Sequence, residues 1–330
     1  MSADAVITGP AAAHHRDVVV IGRVCIDLYP AEVNTHLEDV SGFTKSIGGS
    51  ATNVAVAIAR HGHDVTLVTR TGDDPFGRYA KRELARLGVD VSHVTPFAGL
   101  ASVLTFCEMF PPDNFPIYIY RQPTAPDMKL EASDVPLDEV QNARILWTTA
   151  TGLSQEPSRT AHHAALTARD RRQNTILDLD YRPMFWDSAA DAHSAVTAAL
   201  PLVTIAIGNQ EECEVAVGET DPVRAADALL DFGLDLAIVK RGPRGVLAKT
   251  RTSTVEVQSL PIEVVNGLGA GDGFGGALCH GLLAGWDLKR TIRFVNAAGA
   301  IVATRRECST AMPTTEEVEE RLVLGCPRKR

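Results

Sequence analysis

The sequence predicts an α/β protein, with a mostly parallel sheet covered by helices on both faces and a small β-sheet lid. Three observations predict it. Short β-branched runs alternate with amphipathic helical stretches along most of the chain. Two early segments, near 23–45 and 100–121, break that alternation. A glycine-rich turn late in the chain, NGLGAGDGFGG at Asn266–Gly276, runs straight into an apolar helix.

The first strand is expected at Asp17–Gly22, DVVVIG, a β-branched run that stops at glycine as a buried parallel strand does. Arg23–Lys45 is polar and reads as irregular. A helix spans Ser50–His61, with cap-type residues at its start, Val54, Ala57 and Ile58 at helical spacing, and Gly62 as its stop. Strand Val65–Thr69 and helix Pro75–Leu87 follow. Ser102–Phe110 and Pro116–Arg121 alternate residue types around the turn PPDN and read as an antiparallel hairpin. The rhythm then resumes with strand Arg144–Thr148, helix Pro157–Arg172, strands Thr175–Leu179 and Leu202–Ile207, helices Gln210–Val217 and Pro222–Phe232, and strand Leu236–Lys240. A late hairpin covers Arg244–Lys249 and Thr252–Leu260, and the last helices are Trp286–Thr304 and Thr315–Leu322. Insertions after the first strands sit over the carboxyl ends of a parallel sheet, where such sheets bind ligands. A lid belongs there.

The expected organisation is a frayed tail at 1–16, one domain at 17–325 with its lid, and a solvated end at 326–330. A chain of 330 residues with 45% hydrophobic and 22% charged residues can bury a large core. No apolar run approaches the roughly 20 residues that cross a bilayer, so no membrane partner is expected. A formal charge of −9 argues against nucleic acid, whose phosphates demand a basic face. The six cysteines form no CxxC pair, which fits a reducing cytoplasm. Adjacent His14 and His15 in a terminal segment bind metal weakly, and there is no HExxH.

The strongest chemical signal is Gly269-Ala270-Gly271-Asp272 at a helix start. Unpaired amides and aligned peptide dipoles bind anions there, and small residues let a phosphate approach the backbone. The same field keeps Asp272 ionised and able to take a proton from an attacking hydroxyl. Phosphoryl transfer needs positioning and charge stabilisation more than a strong base, so one aspartate suffices. Taken alone, the motif also reads as an aspartate stabilising a helix start beside a glycine turn. Gly271, Gly273 and Gly276 satisfy G-x-G-x-x-G, but no βαβ unit follows, and a Walker A sequence is absent.

A second glycine turn, Gly48-Gly49-Ser50-Ala51-Thr52-Asn53, feeds the Ser50 helix. Together, GGSATN and the late NGLGAGD resemble the early GG-x-x-x-N and late [DN]-x-x-GAGD motifs of the ribokinase (PfkB-type) family of carbohydrate kinases. The resemblance covers nearly the whole chain. It implies a ribokinase-like three-layer sandwich with a β lid, ATP and magnesium as cofactors, and Asp272 as base with Gly269, Ala270 and Gly271 as anion hole. It further implies that Asp27 holds sugar hydroxyls and that Gly48, Gly49 and Asn53 form the substrate turn. Lys240, Gly242 and Gly245 match the nucleotide loop, and Asn296 lies beside the purine. Asn209 and Glu212 match the N-x-x-E motif that orders water around magnesium; by themselves they also read as a helix cap with a first-turn acid. Family lids often pair across a homodimer. Asn266 stands where many members have an aspartate that helps to hold a monovalent cation, so little potassium dependence is expected.

Within the family the chain is similar to kinases of open-chain sugar acids. The resemblance rests on IGRVCIDLYP, Tyr120-Arg121, DLDYRPMFW at Asp178–Trp186 and STAMPT at Ser309–Thr314. It implies substrate-binding roles for Arg121, Asp180 and Arg182, because a guanidinium matches a carboxylate. Either arginine alone also reads as a surface residue. The alternatives are a kinase of a related keto-deoxy acid or of a neutral sugar and, in another class, an inactive sugar sensor on the same fold.

Overall fold

The computed structural model describes residues 16–324; the expectations for 1–15 and for 325–330 lie outside the described residues. In chain order the elements are β1 (Val18–Ile21), β2 (Cys25–Pro30), β3 (Phe43–Gly48), α1 (Ser50–Arg60), β4 (Val65–Gly72), α2 (Pro75–Arg86), β5 (Val94–Phe97), β6 (Leu104–Cys107) and β7 (Ile117–Tyr120). Then come α3 (Leu137–Asn142), β8 (Ile145–Thr149), α4 (Ser158–Arg169), β9 (Thr175–Asp178), α5 (Ala189–Ala199), β10 (Ile205–Asn209), α6 (Gln210–Val217), α7 (Pro222–Asp231) and β11 (Leu236–Lys240). The chain closes with β12 (Val246–Lys249), β13 (Thr254–Val257), α8 (Ala270–Leu283), α9 (Leu288–Ala303) and α10 (Thr315–Leu324).

Nine strands form the main sheet in the order β13-β12-β11-β10-β9-β8-β1-β4-β5. Pairing is parallel from β11 to β5, and the β11–β12–β13 meander is antiparallel. The period of two in the strands divides the core between the faces. Val18 and Val20 join the cluster under α1, α8 and α9, whereas Val19 and Ile21 join the one under α4, α5 and α7. This is the expected three-layer arrangement.

The second sheet is the lid, with four strands in the order β3-β2-β6-β7. The segment read as irregular supplies β2 and the first half of β3. β2 pairs antiparallel with β3 from Cys25↔Gly48 to Pro30↔Phe43 and parallel with β6. Asp27 and Pro30 obscure that strand in the sequence, since both are poor strand formers that only tertiary pairing accommodates.

Other boundaries move for local reasons. Arg16, assigned to the tail, is held by Asp64 at 2.8 Å and by Asp90. The strand expected from Leu202 starts at Ile205, because Leu200–Leu202 forms a 3₁₀ turn with Pro201 inside it. The helix expected to reach Arg172 ends at Arg169, since Asp170 and Arg171 take left-handed φ values of 49° and 52°. Besides β2 and β3, three further elements were not foreseen: α3, α5 and the edge strand β5. Helix α5 turns Ala192, Ala195, Val196 and Ala199 to the core, and alanine leaves little apolar contrast to read.

Candidate active site

Parallel pairing brings the ends of β9, β10 and β11 to one edge of the sheet, with β9 stopping two residues short of the other two. Register matches Thr149 with Asp178, Ile207 with Asp178, and Asn209 with Lys240, so Asp178, Asn209 and Lys240 line one edge of the sheet. The N-terminus of α8 faces the same edge. Gly269 caps that helix with φ 80°, and a Cβ there would meet the Cys308 side chain at 2.9 Å. A Cβ on Gly271 would come within 3.3 Å of Lys240 Nζ. The backbone of Gly269, Ala270 and Gly271 is thus open to an anion, with the Lys240 ammonium at its margin.

Asp272 lies in the first turn of α8. Its Oδ1 accepts from Ser50 Oγ at 2.8 Å and its Oδ2 from Asn53 Nδ2 at 2.7 Å. Both donors belong to the first turn of α1, which opens directly after Gly49 at φ 100°. The two glycine turns, read separately in the sequence, therefore meet at one carboxylate. Burial raises Asp272 to about 6, opposed by the Asn53 hydrogen bond and assisted by the charge of Asp180. Such a carboxylate is ionised at neutral pH yet a better proton acceptor than a surface aspartate.

Lys240 Nζ stands 3.9 Å from Asp178 Oδ1 and 3.7 Å from Glu212 Oε2. Burial pushes Asp178 up to about 8, with Lys240 pulling it down and Glu212 pushing it up. Lys240 is held above its ordinary value: burial works against its charge, but Glu212 and Asp178 outweigh it. Asn209 and Glu212 form a reciprocal cap on α6, Glu212 N donating to Asn209 Oδ1 at 2.9 Å and Asn209 N to Glu212 Oε2 at 2.6 Å. The helix-cap reading of this pair is thus realised, and the cap also aims Glu212 at Lys240.

Gly242 and Gly245, expected in the nucleotide loop, have φ 56° and 85°, and a Cβ on Gly245 would fall 1.9 Å from Val257 O. Asn296 donates to Gln258 O at 2.9 Å, fixing α9 beside the end of β13.

On the lid, Asp27 is buried and accepts from Cys25 Sγ and Tyr29 Oη, each at 3.2 Å. Gly48 lies against it, and a Cβ there would be 2.0 Å from Asp27 Oδ2. Arg121 follows β7, its Cζ 3.9 Å from the centre of the Phe185 ring, and neither Nη has a hydrogen-bond partner among the described residues. Arg182 differs. Its Nη2 is 3.1 Å from Asp180 Oδ1 and its Nη1 donates to Tyr181 O, so its charge is already matched. Asp180 Oδ2 accepts from Thr151 at 3.3 Å.

Sequence reasoning passed over Ser50 and Asp178 as site residues. A hydroxyl at a helix start reads as a cap, although Ser50 bonds across to Asp272. Asp178 ends a strand on the ligand-binding edge of the sheet, and that position was the available signal.

Residues 15–315 match the pattern of the pfkB family carbohydrate kinases. Curated relatives include the 5-dehydro-2-deoxygluconokinase of Geobacillus thermodenitrificans, 34% identical over 92% of both chains, and that of Photobacterium profundum, 36% identical over 91% of this chain and 92% of its own. Among solved structures, a putative ribokinase II from E. coli in complex with ATP and Mg²⁺ superposes with a TM-score of 0.84 at 22% identity, covering 92% of this chain and 98% of that one. A double-mutant fructokinase from Vibrio cholerae with fructose, ADP and potassium gives 0.82 at 24%, covering 93% and 98%. With the fold, the paired glycine turns and the sequence match in agreement, the chain belongs to the pfkB family of carbohydrate kinases.

Proposed function

We propose that the enzyme transfers the terminal phosphoryl group of ATP to the terminal hydroxyl of 5-dehydro-2-deoxy-D-gluconate, in myo-inositol catabolism in the cytoplasm. The observation that carries the choice of an acid is Arg121, a buried guanidinium on the lid that also bears Asp27, both of whose Nη atoms lack a hydrogen-bond partner among the described residues. The 5-dehydro-2-deoxygluconokinase relatives support the same substrate.

In this reading Asp27 accepts sugar hydroxyls, while Gly48 and Gly49 let the substrate backbone approach. Asp272 takes the proton of the attacking hydroxyl, and Ser50 and Asn53 hold its carboxylate in the accepting orientation. The amides at the start of α8, together with Lys240, bear the charge that develops on the transferred phosphoryl group. Gly242, Gly245 and Asn296 hold the nucleotide. Magnesium, when bound, neutralises phosphate charge. Asn209 and Glu212 would hold the ion, through water, beside the phosphates. Lid closure excludes water that would hydrolyse ATP. The lid's outer face carries Phe43, Phe106 and Tyr120 in edge contact, with Tyr120 66% exposed, and this aromatic stripe supports a homodimer formed through the lid.

A substrate panel tests the reading. With ATP and magnesium, kcat/KM for 5-dehydro-2-deoxygluconate should exceed that for 2-keto-3-deoxygluconate, fructose and ribose by at least about tenfold, a preference worth ~1.4 kcal/mol. Equal or better turnover of another member reassigns the substrate. Labelled ATP untouched by every sugar makes the protein a sensor.

A further inference from the structure

Near the substrate end of the site lie three charged side chains that the fold does not satisfy. Arg121 is 8% exposed, Arg23 7% and Asp127 3%. Among the described residues, both Nη atoms of Arg121, Nε of Arg23 and both carboxylate oxygens of Asp127 lack hydrogen-bond partners. Leaving a buried charge unpaired is costly, and a fold that keeps three of them together calls for something that completes them. Arg121 and Arg23 bracket one landmark, with their Cζ atoms 3.9 and 5.3 Å from the centre of the Phe185 ring. Burial raises the Asp127 carboxyl while Arg121 and then Arg23 pull it down, which puts all three in one electrostatic neighbourhood.

Arg23 is also tied to the substrate turn. Its carbonyl accepts from Thr52 Oγ1 at 3.1 Å, and it lies so close to Gly49 that a Cβ there would come within 2.5 Å of it. Its Nη1 reaches Cys25 Sγ at 3.6 Å, and that thiol donates to Asp27. The guanidinium thus adjoins the residue proposed to hold the sugar hydroxyls. The two arginines outnumber Asp127, so the cluster keeps a guanidinium to spare for a carboxylate, while the negative charge of Asp27 lies beyond the Cys25 thiol. Arg182 is neutralised by Asp180 at 3.1 Å, although its Nε also lacks a hydrogen-bond partner among the described residues.

We propose that Arg23 is the second carboxylate-binding residue beside Arg121, and that Asp127 is their buried counter-charge, which sets the pocket for a monoanionic sugar acid. The proposal rests on the reading that the substrate is an acid. It extends that reading to two residues that had no assigned role, although Arg23 lies within the IGRVCIDLYP segment. Phe185 supplies the flat surface against which the guanidiniums are arranged, as cation–π geometry favours.

The test compares the acid substrate with its analogue reduced from carboxylate to alcohol, in the wild type and in Arg23→Gln, Arg23→Lys and Asp127→Asn. The readout is the ratio of kcat/KM for acid over alcohol. Arg23→Gln should lower it by roughly tenfold to a hundredfold, the effect of losing one charge-assisted bond in a desolvated site. Arg23→Lys should recover part of the loss, because a point charge lacks the bidentate fork, and it retains a long aliphatic stem where the Gln variant fails to fold. Asp127→Asn should leave the ratio at or above wild type, since the pocket becomes more positive. An unchanged ratio in both Arg23 variants overturns the assignment, as does an Asp127→Asn ratio that falls with that of Arg23→Gln. A wild type with no preference for acid over alcohol removes the acid reading itself, a failure visible before any variant is made.

Discussion

Asn53 donates its side-chain amide to Asp272 across 2.7 Å, although 219 residues separate the two in the chain. The bond joins the first turns of two helices, and with Ser50 on the other oxygen it leaves the carboxylate little freedom to rotate. A base held in one orientation has less to reorganise when the hydroxyl arrives.

Asp272→Asn should therefore fold and bind ATP normally while kcat falls at least about a hundredfold, because the proton acceptor is gone and the backbone amides remain. Near-normal turnover removes Asp272 from the mechanism. Since Asp272 is raised to about 6 and works ionised, kcat in the wild type should decline as pH falls through 6. Asp178, raised to about 8, and Lys240 face the same space. Asp178→Asn separates the contributions, and its acid limb should stay near pH 6.

Gly48→Ala should raise the sugar KM far more than the ATP KM. The new methyl group falls 2.0 Å from the Asp27 carboxylate and must displace it. Overpacking of this kind costs about 1–3 kcal/mol, or roughly fivefold to 150-fold in kcat/KM. Unchanged sugar kinetics means that Asp27 does not touch substrate.

Arg121→Ala and Arg182→Ala should behave differently, because neither Nη of Arg121 has a hydrogen-bond partner among the described residues and Arg182 is paired with Asp180. Arg121→Ala should raise KM for the acid by tenfold or more and spare the reduced alcohol. Arg182→Ala frees the Asp180 charge beside Asp272, so it should lower kcat/KM for acid and alcohol together. Steady-state kinetics on both substrates checks this. Acid-selective loss in the Arg182 variant returns that residue to the carboxylate.

Replacing sodium by potassium should change activity little. Asn266 is fully buried; its Nδ2 donates to Arg306 O at 2.7 Å and its Oδ1 accepts from Leu268 N at 3.0 Å. The amide thus satisfies the Arg306 carbonyl directly. Asn266→Asp turns that donor into an acceptor, and two acceptors face each other in a dry site. The variant should lose tenfold or more in kcat in sodium and regain part of it in potassium. Strong potassium dependence of the wild type contradicts this account.

Arg169→Ala should lower stability by about 3 kcal/mol or more without altering kinetics at permissive temperature. The buried guanidinium donates to the carbonyls of Val140, Ala143, Arg144 and Gln173, and its removal leaves them dry and unpaired. Denaturant unfolding measures the loss. A difference below about 1 kcal/mol shows that water replaces the side chain.

The sequence by itself determined the parallel sheet and the two glycine turns, and it pointed to Asp272 as the base proposed here. Strand and helix periods repeat locally, and a glycine turn opening an apolar helix is an unbroken stretch of chain. Tertiary structure decided how those turns combine. Only folding brings Ser50 and Asn53 onto Asp272, because helix packing rather than sequence spacing sets that distance. It likewise made strands of β2 and β3, whose poor propensities are overridden by pairing on both edges of β2. It also sorted the arginines. Arg23, Arg121 and Arg182 look alike in a sequence, and which of them is left without a partner depends on the carboxylates that the packed chain delivers beside each one.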